Sequence, residues 1–290
     1  MDIGVLVTPL LTGITLGMVY VIMAVGLTFI LGMLDIPNFA HGALYALGAY
    51  LAFTVMQVVP NFWVALVVAP LLVAAVGMAT ELWGIRALYG AGLYPQLLFT
   101  FALSLVIREL IILIWSPVGM STMPPELLRG AVNLGVTYYP TYRLFLMLFA
   151  GGIVLAVWLF LERTKFGAII RAGIENKEMV SALGINVHRL FTFTFGLGAG
   201  LAGLGGALIF PLRGTNPDMG LDILTTCFVV VVVGGMGNFP GAIVAGLFIG
   251  VSQSAIVYFW PRASMVSIFF VMAVVLLLRP QGFFGEEGRK

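Results

Sequence analysis

The chain has 290 residues, 61% of them hydrophobic and 9% charged, with a mean hydropathy of +1.11. Soluble domains carry about 25% charged residues, so 14 basic and 12 acidic side chains exclude a cytosolic globular enzyme and a disordered chain. A polytopic membrane protein is expected; the net charge of +2 is too small for nucleic-acid binding, and the single Cys227 excludes an intrachain disulfide.

The chain starts Met1-Asp2-Ile3 and has no Lys or Arg before Arg86. A cleavable signal peptide needs a basic start, so the first apolar stretch is expected to be a retained span. Charge-free runs cover 3–34, 36–80, 87–107, 144–161, 190–212, 223–261 and 263–278. A helix needs about 20 apolar residues to cross a bilayer. The runs 36–80 and 223–261 therefore hold two spans each, broken at Pro60-Asn61 and at Gly234-Gly235-Met236-Gly237-Asn238-Phe239-Pro240-Gly241. The predicted spans are 5–33, 38–59, 62–80, 96–115, 143–161, 190–211, 221–235, 241–260 and 264–279. Span 221–235 is short enough to be broken or re-entrant, and 35–48 is also open to a re-entrant reading. The expected fold class is all-α integral membrane, a polytopic bundle of eight or nine helices forming one domain over 1–290.

Basic residues orient the spans. Arg163, Lys165, Arg171, Lys177 and Arg189 fall in segment 162–189, and Arg279, Arg289 and Lys290 in the tail. Four spans separate these groups, so both are placed on the cytoplasmic side, with the N-terminus and the loop 116–142 outside. The outer face then holds Arg129, Arg143, Arg213 and Arg262, all arginine and none lysine. Arginine suits bidentate capture of carboxylates, which makes Glu126, Arg129, Arg143 and Arg213 candidates for docking an acidic soluble partner; solvated loop charge is the plain alternative.

Small residues recur at helical spacing from Gly196 to Ala207. Lipid tails give no hydrophobic push between helices, so this stretch is expected to pack by close backbone approach inside a bundle. A weak internal echo links Gly32-Met33, Asn38-Phe39 and Gly42-Ala43 with Gly235-Met236, Asn238-Phe239 and Gly241-Ala242. Pro37-Asn38 can cap a helix starting near Phe39, and a helix start attracts carboxylates. Asn38, His41, Gly42, Met236 and Asn238 are therefore candidates for a gate or pathway, against the simpler reading of well-capped helices and a tight turn.

Catalytic patterns are missing: the sequence has no Gly-x-x-x-x-Gly-Lys-Ser/Thr phosphate loop and no Gly-x-Ser-x-Gly elbow. His41 and His188 have no metal-ligand spacing, so no metal is expected. Arg108-Glu109 is the one charged pair within a span. Adjacent residues on a helix do not face each other, so the two are expected to find different partners, with Glu109 reaching a neighbouring helix; both are also pathway candidates. A self-sufficient secondary transporter would show paired carboxylates or histidines near the midplane, and this chain does not.

Segment 162–189 is long for a connection and reads as helical over 172–183, with Met179, Val180 and Leu183 on one face and Gly184 as a C-terminal stop. It lies on lipid or docks a cytoplasmic partner. Glu178 and Gly184 stand six apart, the spacing of the Glu-Ala-Ala-x-x-x-Gly loop that ABC importer permeases present to their ATPases, with Met179-Val180 in place of Ala-Ala.

Together these stretches resemble the permeases of branched-chain amino acid ABC importers, specifically the shorter, LivH-like member of the pair. The resemblance is carried by Gly26-Leu27-Thr28-Phe29-Ile30-Leu31-Gly32 with Asn38-Phe39-Ala40-His41-Gly42 and Gly48-Ala49-Tyr50. It continues in Arg171-Ala172-Gly173-Ile174-Glu175-Asn176 running to Ala182-Leu183-Gly184-Ile185-Asn186, and in Thr194-Phe195 with the run to Ala207. It ends with Val232 to Ala242 and Leu278-Arg279-Pro280-Gln281-Gly282-Phe283-Phe284-Gly285. The resemblance implies a heteromeric importer of a bacterial inner membrane: two permeases forming the pathway, two ATP-binding cassette subunits and a soluble substrate-binding protein. ATP would be bound by those partners, with no cofactor and no enzyme activity in this chain. It implies an ATPase-coupling set of Arg171, Glu175, Asn176, Glu178, Met179, Leu183 and Gly184. Gly173 and Arg108-Glu109 depart from the family pattern, and importers of urea or short-chain amides share the same permease family.

Overall fold

A computed structural model describes residues 3–135 and 137–285. In lipid, backbone polar groups must be satisfied within the protein, and a helix does this inside one segment. The apolar runs accordingly form α1 (Ile3–Leu34), α2 (Ala40–Val58), α3 (Phe62–Trp83), α4 (Leu93–Trp115) and α5 (Thr141–Arg163). After two short helices, α6 (Lys165–Glu175) and α7 (Lys177–Ala182), come α8 (Val187–Arg213), α9 (Met219–Gly234), α10 (Phe239–Phe259) and α11 (Ser264–Leu278). Every predicted span coincides with one of α1–α5 or α8–α11. Six of these, α1, α3, α4, α5, α8 and α10, are long and apolar enough to cross a membrane. Helices α9 and α11 are apolar but shorter, and α2, which carries His41 and Gln57, is not among the six. The protein is an all-α, multi-pass membrane bundle.

Side-chain and backbone contacts sort the connections into two ends. At one end Lys177 Nζ meets Asp35 Oδ2 at 2.5 Å, Arg86 donates to the His188 carbonyl at 3.3 Å, and the amides of Phe283 and Phe284 donate to the Val233 and Gly234 carbonyls. This basic end also carries Arg163, Lys165, Arg171 and Arg189; Arg289 and Lys290 of the expected tail cluster lie outside the described residues. At the far end Thr8 and Thr15 of α1 meet Thr137 and Tyr139; the Thr215 amide donates to the Met120 carbonyl, and the Met120 amide to Thr215 Oγ1. The far loop is more structured than its sequence foretold. It contains a small antiparallel hairpin, β1 (Ala131–Asn133) with β2 (Tyr138–Pro140), in which Val132 pairs with Tyr139.

Helix α8 is the axis, with α1, α2 and α3 packed around it. Its glycines bring backbones together as the small-residue run predicts: a Cβ at Gly198 would lie 2.6 Å from the Gly26 carbonyl oxygen and 2.8 Å from Ile30. Helices α4 and α9 flank α2 on one side of this body, and α5 lies against α1 on another.

Three local readings are corrected. The span expected from Asn38 at the basic end starts instead at Ala40, deep in the bundle. His41 Nε2 lies 3.0 Å from the Met23 carbonyl, and Met23 is about 16 Å along α1 from Leu34 at 1.5 Å per residue. Asp35 turns the chain with φ 59°, a left-handed conformation that Asp tolerates. Residues 35–38 are non-helical, as expected where Pro37 biases its predecessor toward extended backbone. Second, the helix expected over 172–183 is two helices. Asn176 is extended, at φ −155° and ψ 96°, and its side chain accepts the Met179 amide to cap α7. Third, the short span 221–235 is one unbroken helix that begins below the far end: its N-cap residue Asp218 meets Arg108, seven residues and about 10 Å inside the end of α4.

Candidate functional site

The first cluster lies on the α4–α9 face. Arg108 Nε donates to Asp218 Oδ1 at 2.6 Å and its Nη1 to Glu109 Oε1 at 2.5 Å. Glu109 therefore does not reach a neighbouring helix as expected; the long guanidinium folds over one residue to meet it while also crossing to α9. All three groups are partly exposed. Below them α9 presents Asp222, Thr225, Phe228 and Val232 on one surface stripe that continues to Met236 in the following turn.

Phe39 sits beside this stripe where α2 begins. Its ring lies 5.4 Å from Phe228 and 6.4 Å from Phe101. The other candidates from the same stretch are inside the bundle. Asn38 and His41 are fully buried. Asn38 Oδ1 accepts the Ala40 amide at 3.1 Å. Gly42 packs against Gly220, where a Cβ on Gly220 would stand 2.6 Å from the Gly42 carbonyl oxygen. Asn38 Nδ2 and His41 Nδ1 have no hydrogen-bond partner among the described residues, a costly condition for buried donors and acceptors. These residues fix where α2 starts rather than facing open space. In the echo motif, Asn238 caps α10 by accepting the Gly241 amide at 2.8 Å and donates to the Phe284 carbonyl at 3.1 Å; Met236 is 68% exposed.

The second cluster is α6–α7 at the basic end. Thr164 caps α6 by accepting the Gly167 amide, and Arg171 holds α6 to the end of α5 through the Leu161 carbonyl and Glu162. The apolar face predicted for Met179, Val180 and Leu183 divides: Val180 turns inward, 2% exposed, while Met179 and Leu183 stand 60% and 73% exposed. Glu175, Asn176, Glu178 and Gly184 are exposed around them, and Gly184 ends the segment at φ 80°. Behind it, Gly173 leaves room that the Met33 side chain fills.

A third feature has no counterpart in the sequence reading. Glu81 is fully buried and accepts from Arg86 Nε at 3.1 Å, Arg86 Nη2 at 2.9 Å, the Tyr89 hydroxyl at 2.8 Å and Thr192 Oγ1 at 2.6 Å. Burial, and then the Glu81 carboxylate, push the Tyr89 hydroxyl well above its ordinary range. The available signal was a carboxylate at the end of an apolar run with an arginine five residues on. The network joins α3 to α8 one turn above the point where α7 feeds into α8.

At the far end the four docking candidates do not form one patch of contacts. Glu126 and Arg129 pair at 3.8 Å, and Arg129 also donates to the Pro124 carbonyl. Arg143 donates to Thr12 at 3.2 Å, and Arg213 is exposed at the end of α8.

Comparison with known proteins completes the description. The profile of a family described as branched-chain amino acid transport system / permease component matches residues 10–278. The chain is 30% identical to the high-affinity branched-chain amino acid transport system permease protein BraD of Pseudomonas aeruginosa, over 96% of this chain and 95% of BraD. It is 27% identical to LivH of Escherichia coli, over 94% of each. It is 26% identical to LivM of the same organism, over 92% of this chain and 68% of LivM.

Proposed function

Because this chain belongs to the branched-chain amino acid transport system permease component family, we propose that it is one of two membrane subunits of an ATP-driven importer. Its substrate is a branched-chain or related hydrophobic amino acid, and its location a bacterial inner membrane. The chain itself is not an enzyme. Two separate ATP-binding cassette subunits bind the nucleotide, which agrees with the missing phosphate loop. The second permease is a related, non-identical chain, a reading supported by the likeness to both LivH and LivM.

The observation that carries the ATP-driven reading is the exposed pair Met179, on the six-residue helix α7, and Leu183, its C-cap residue, ringed by Glu175 and Glu178. Apolar side chains that a protein leaves in water beside polar ones fit a partner's cleft. Segment 172–184 docks there, with Val180 and the Lys177–Asp35 pair holding it to the bundle. Purification from native membranes should recover a second permease and nucleotide-binding subunits with this chain; recovery of the chain alone, able to catalyse uptake without ATP, would overturn the reading. A charge reversal that sets like charges against each other across an interface costs several kcal/mol. Glu178→Lys is therefore expected to weaken ATPase docking at least about 30-fold and to stop uptake while the subunit still inserts. Unchanged uptake would count against the docking role.

At the far end Glu126, Arg129, Arg143 and Arg213 receive the soluble binding protein. Exposed charges are screened beyond about 8 Å at physiological ionic strength. ATPase stimulation by the binding protein should therefore fall steadily as salt rises; a flat salt series would remove charge from the docking account.

A further inference from the structure

We infer that the α4–α9 face is the wall this chain lends to the translocation pathway, and that Phe39, Phe101 and Phe228 form its constriction. The inference rests on the permease reading. Ionisable side chains at membrane depth face protein or a water-filled space, not lipid. Arg108 lies about 10 Å inside the end of α4, Asp218 meets it at that level, and Asp222 follows one turn further along α9. Arg108, Glu109, Asp218 and Asp222 are all at least partly exposed at the side of the bundle. The α4–α9 face also opens apolar groups such as Leu105 and Leu221, but the exposed middle stretches of α3 and α5 carry no ionisable group beside Val67, Leu71, Val76, Leu148 and Leu155, as lipid requires. The face with ionisable groups at depth is the one a second permease must cover, leaving water between the two chains.

The α9 stripe changes character along its length. Asp222 and Thr225 are polar; Phe228, Val232 and Met236, toward the basic end, are not. The change falls where Phe39 and Phe101 meet Phe228, three rings from three elements at one level. A narrow apolar ring of this kind closes a pore by excluding water. Phe39 follows the non-helical stretch 35–38, whose first residue, Asp35, is bonded to Lys177 of the docking segment. A displacement of α7 therefore pulls on the backbone that carries Phe39, while Phe101 and Phe228 stay on their helices. This links ATPase movement to the constriction through five residues.

Cysteine labelling tests it in vesicles of known orientation containing the assembled transporter. The only native cysteine, Cys227, is buried and supplies the unlabelled baseline. A charged thiosulfonate reacts with a thiolate in water, so a thiol facing lipid should label at least about tenfold more slowly. Thr225→Cys is expected to label from the far side, Val232→Cys only from the basic side, and Leu71→Cys, on the exposed α3 face, hardly at all. Adding Phe228→Ala should expose Val232→Cys to the far-side reagent. If Thr225→Cys labels as slowly as Leu71→Cys, the face is not a wall; if Phe228→Ala leaves Val232→Cys protected, the rings are not the constriction. Failure of the ATP-driven reading would show differently: ATP would leave every labelling rate unchanged, while the contrast between Thr225→Cys and Leu71→Cys would remain.

Discussion

Replacing Glu81 with alanine is expected to destabilise the subunit by about 3 kcal/mol, the lower end of the range for breaking a buried ion pair. The carboxylate is fully buried, and its two oxygens accept two hydrogen bonds each. Removing a carboxylate from water is expensive, and only complete satisfaction by partners offsets it. Alanine would leave Arg86 facing Thr192 and the His188 carbonyl without a counter-charge, and the Tyr89 hydroxyl without an acceptor. The Arg86 side chain is 34% exposed and can turn partly to water, which sets the loss at the lower end. Glu81→Gln keeps the shape but turns one acceptor into a donor opposite Arg86 and Thr192, so it should fall between alanine and the native residue. Arg86→Lys should resemble Glu81→Ala, because an ammonium cannot make the two parallel contacts of a guanidinium. Thermal unfolding of the purified transporter checks the order. A Glu81→Ala variant as stable as the native protein would show that α3 and α8 are held by packing alone.

Gly198→Leu should have an effect of similar size, by overpacking. Extra atoms in a well-packed core cost about 1–3 kcal/mol when neighbours can shift. Here the first added carbon already meets the Gly26 carbonyl and Ile30, at 2.6 and 2.8 Å, so backbone must move and the cost lies at the top of that range. The control is Gly152→Leu on the exposed side of α5, where a Cβ meets nothing within 4 Å. The yield of monodisperse protein after detergent extraction should collapse for Gly198→Leu and stay near native for Gly152→Leu. Equal yields would mean that α1 and α8 do not depend on their close approach.

The positions of the nine apolar helices among the described residues are legible in the sequence because charge is so scarce that its gaps outline them. Where a helix starts within a gap is less legible. Pro37 and Asn38 signal a start near Phe39, but its depth is set by Met23, Gly220 and Thr100, which lie far along the chain. The break at Asn176 is a choice between continuing a helix and capping a new one, and the side chain decides it by taking the Met179 amide. In the far loop, Gly130 and Gly135 flank the first of two strands of only three residues each, too short for an alternating pattern to show. Arg108 and Glu109 were legible as a buried-depth oddity; Asp218, their link to α9, is 110 positions away and no local pattern points to it. Spacing puts Met179, Val180 and Leu183 on one face, but it does not show that Val180 alone turns inward to hold the short helix α7 to the bundle.

Among the described residues, six of the apolar helices are long and apolar enough to cross a membrane and three are not, which bears on how the subunit is held in the bilayer. Helix α2, which starts directly after Phe39, and helix α9, which carries Phe228, are among the three. Neither has both the length and the apolarity to partition from the insertion machinery as a lone segment, so each must be retained by neighbours already in place. For α2 those are α1 and α3, which precede and follow it directly; for α9 they are the glycine-lined body and α10. The two elements that set Phe39 against Phe228, and beside Phe101 of α4, are therefore kept in the bilayer by their neighbours rather than by their own partitioning.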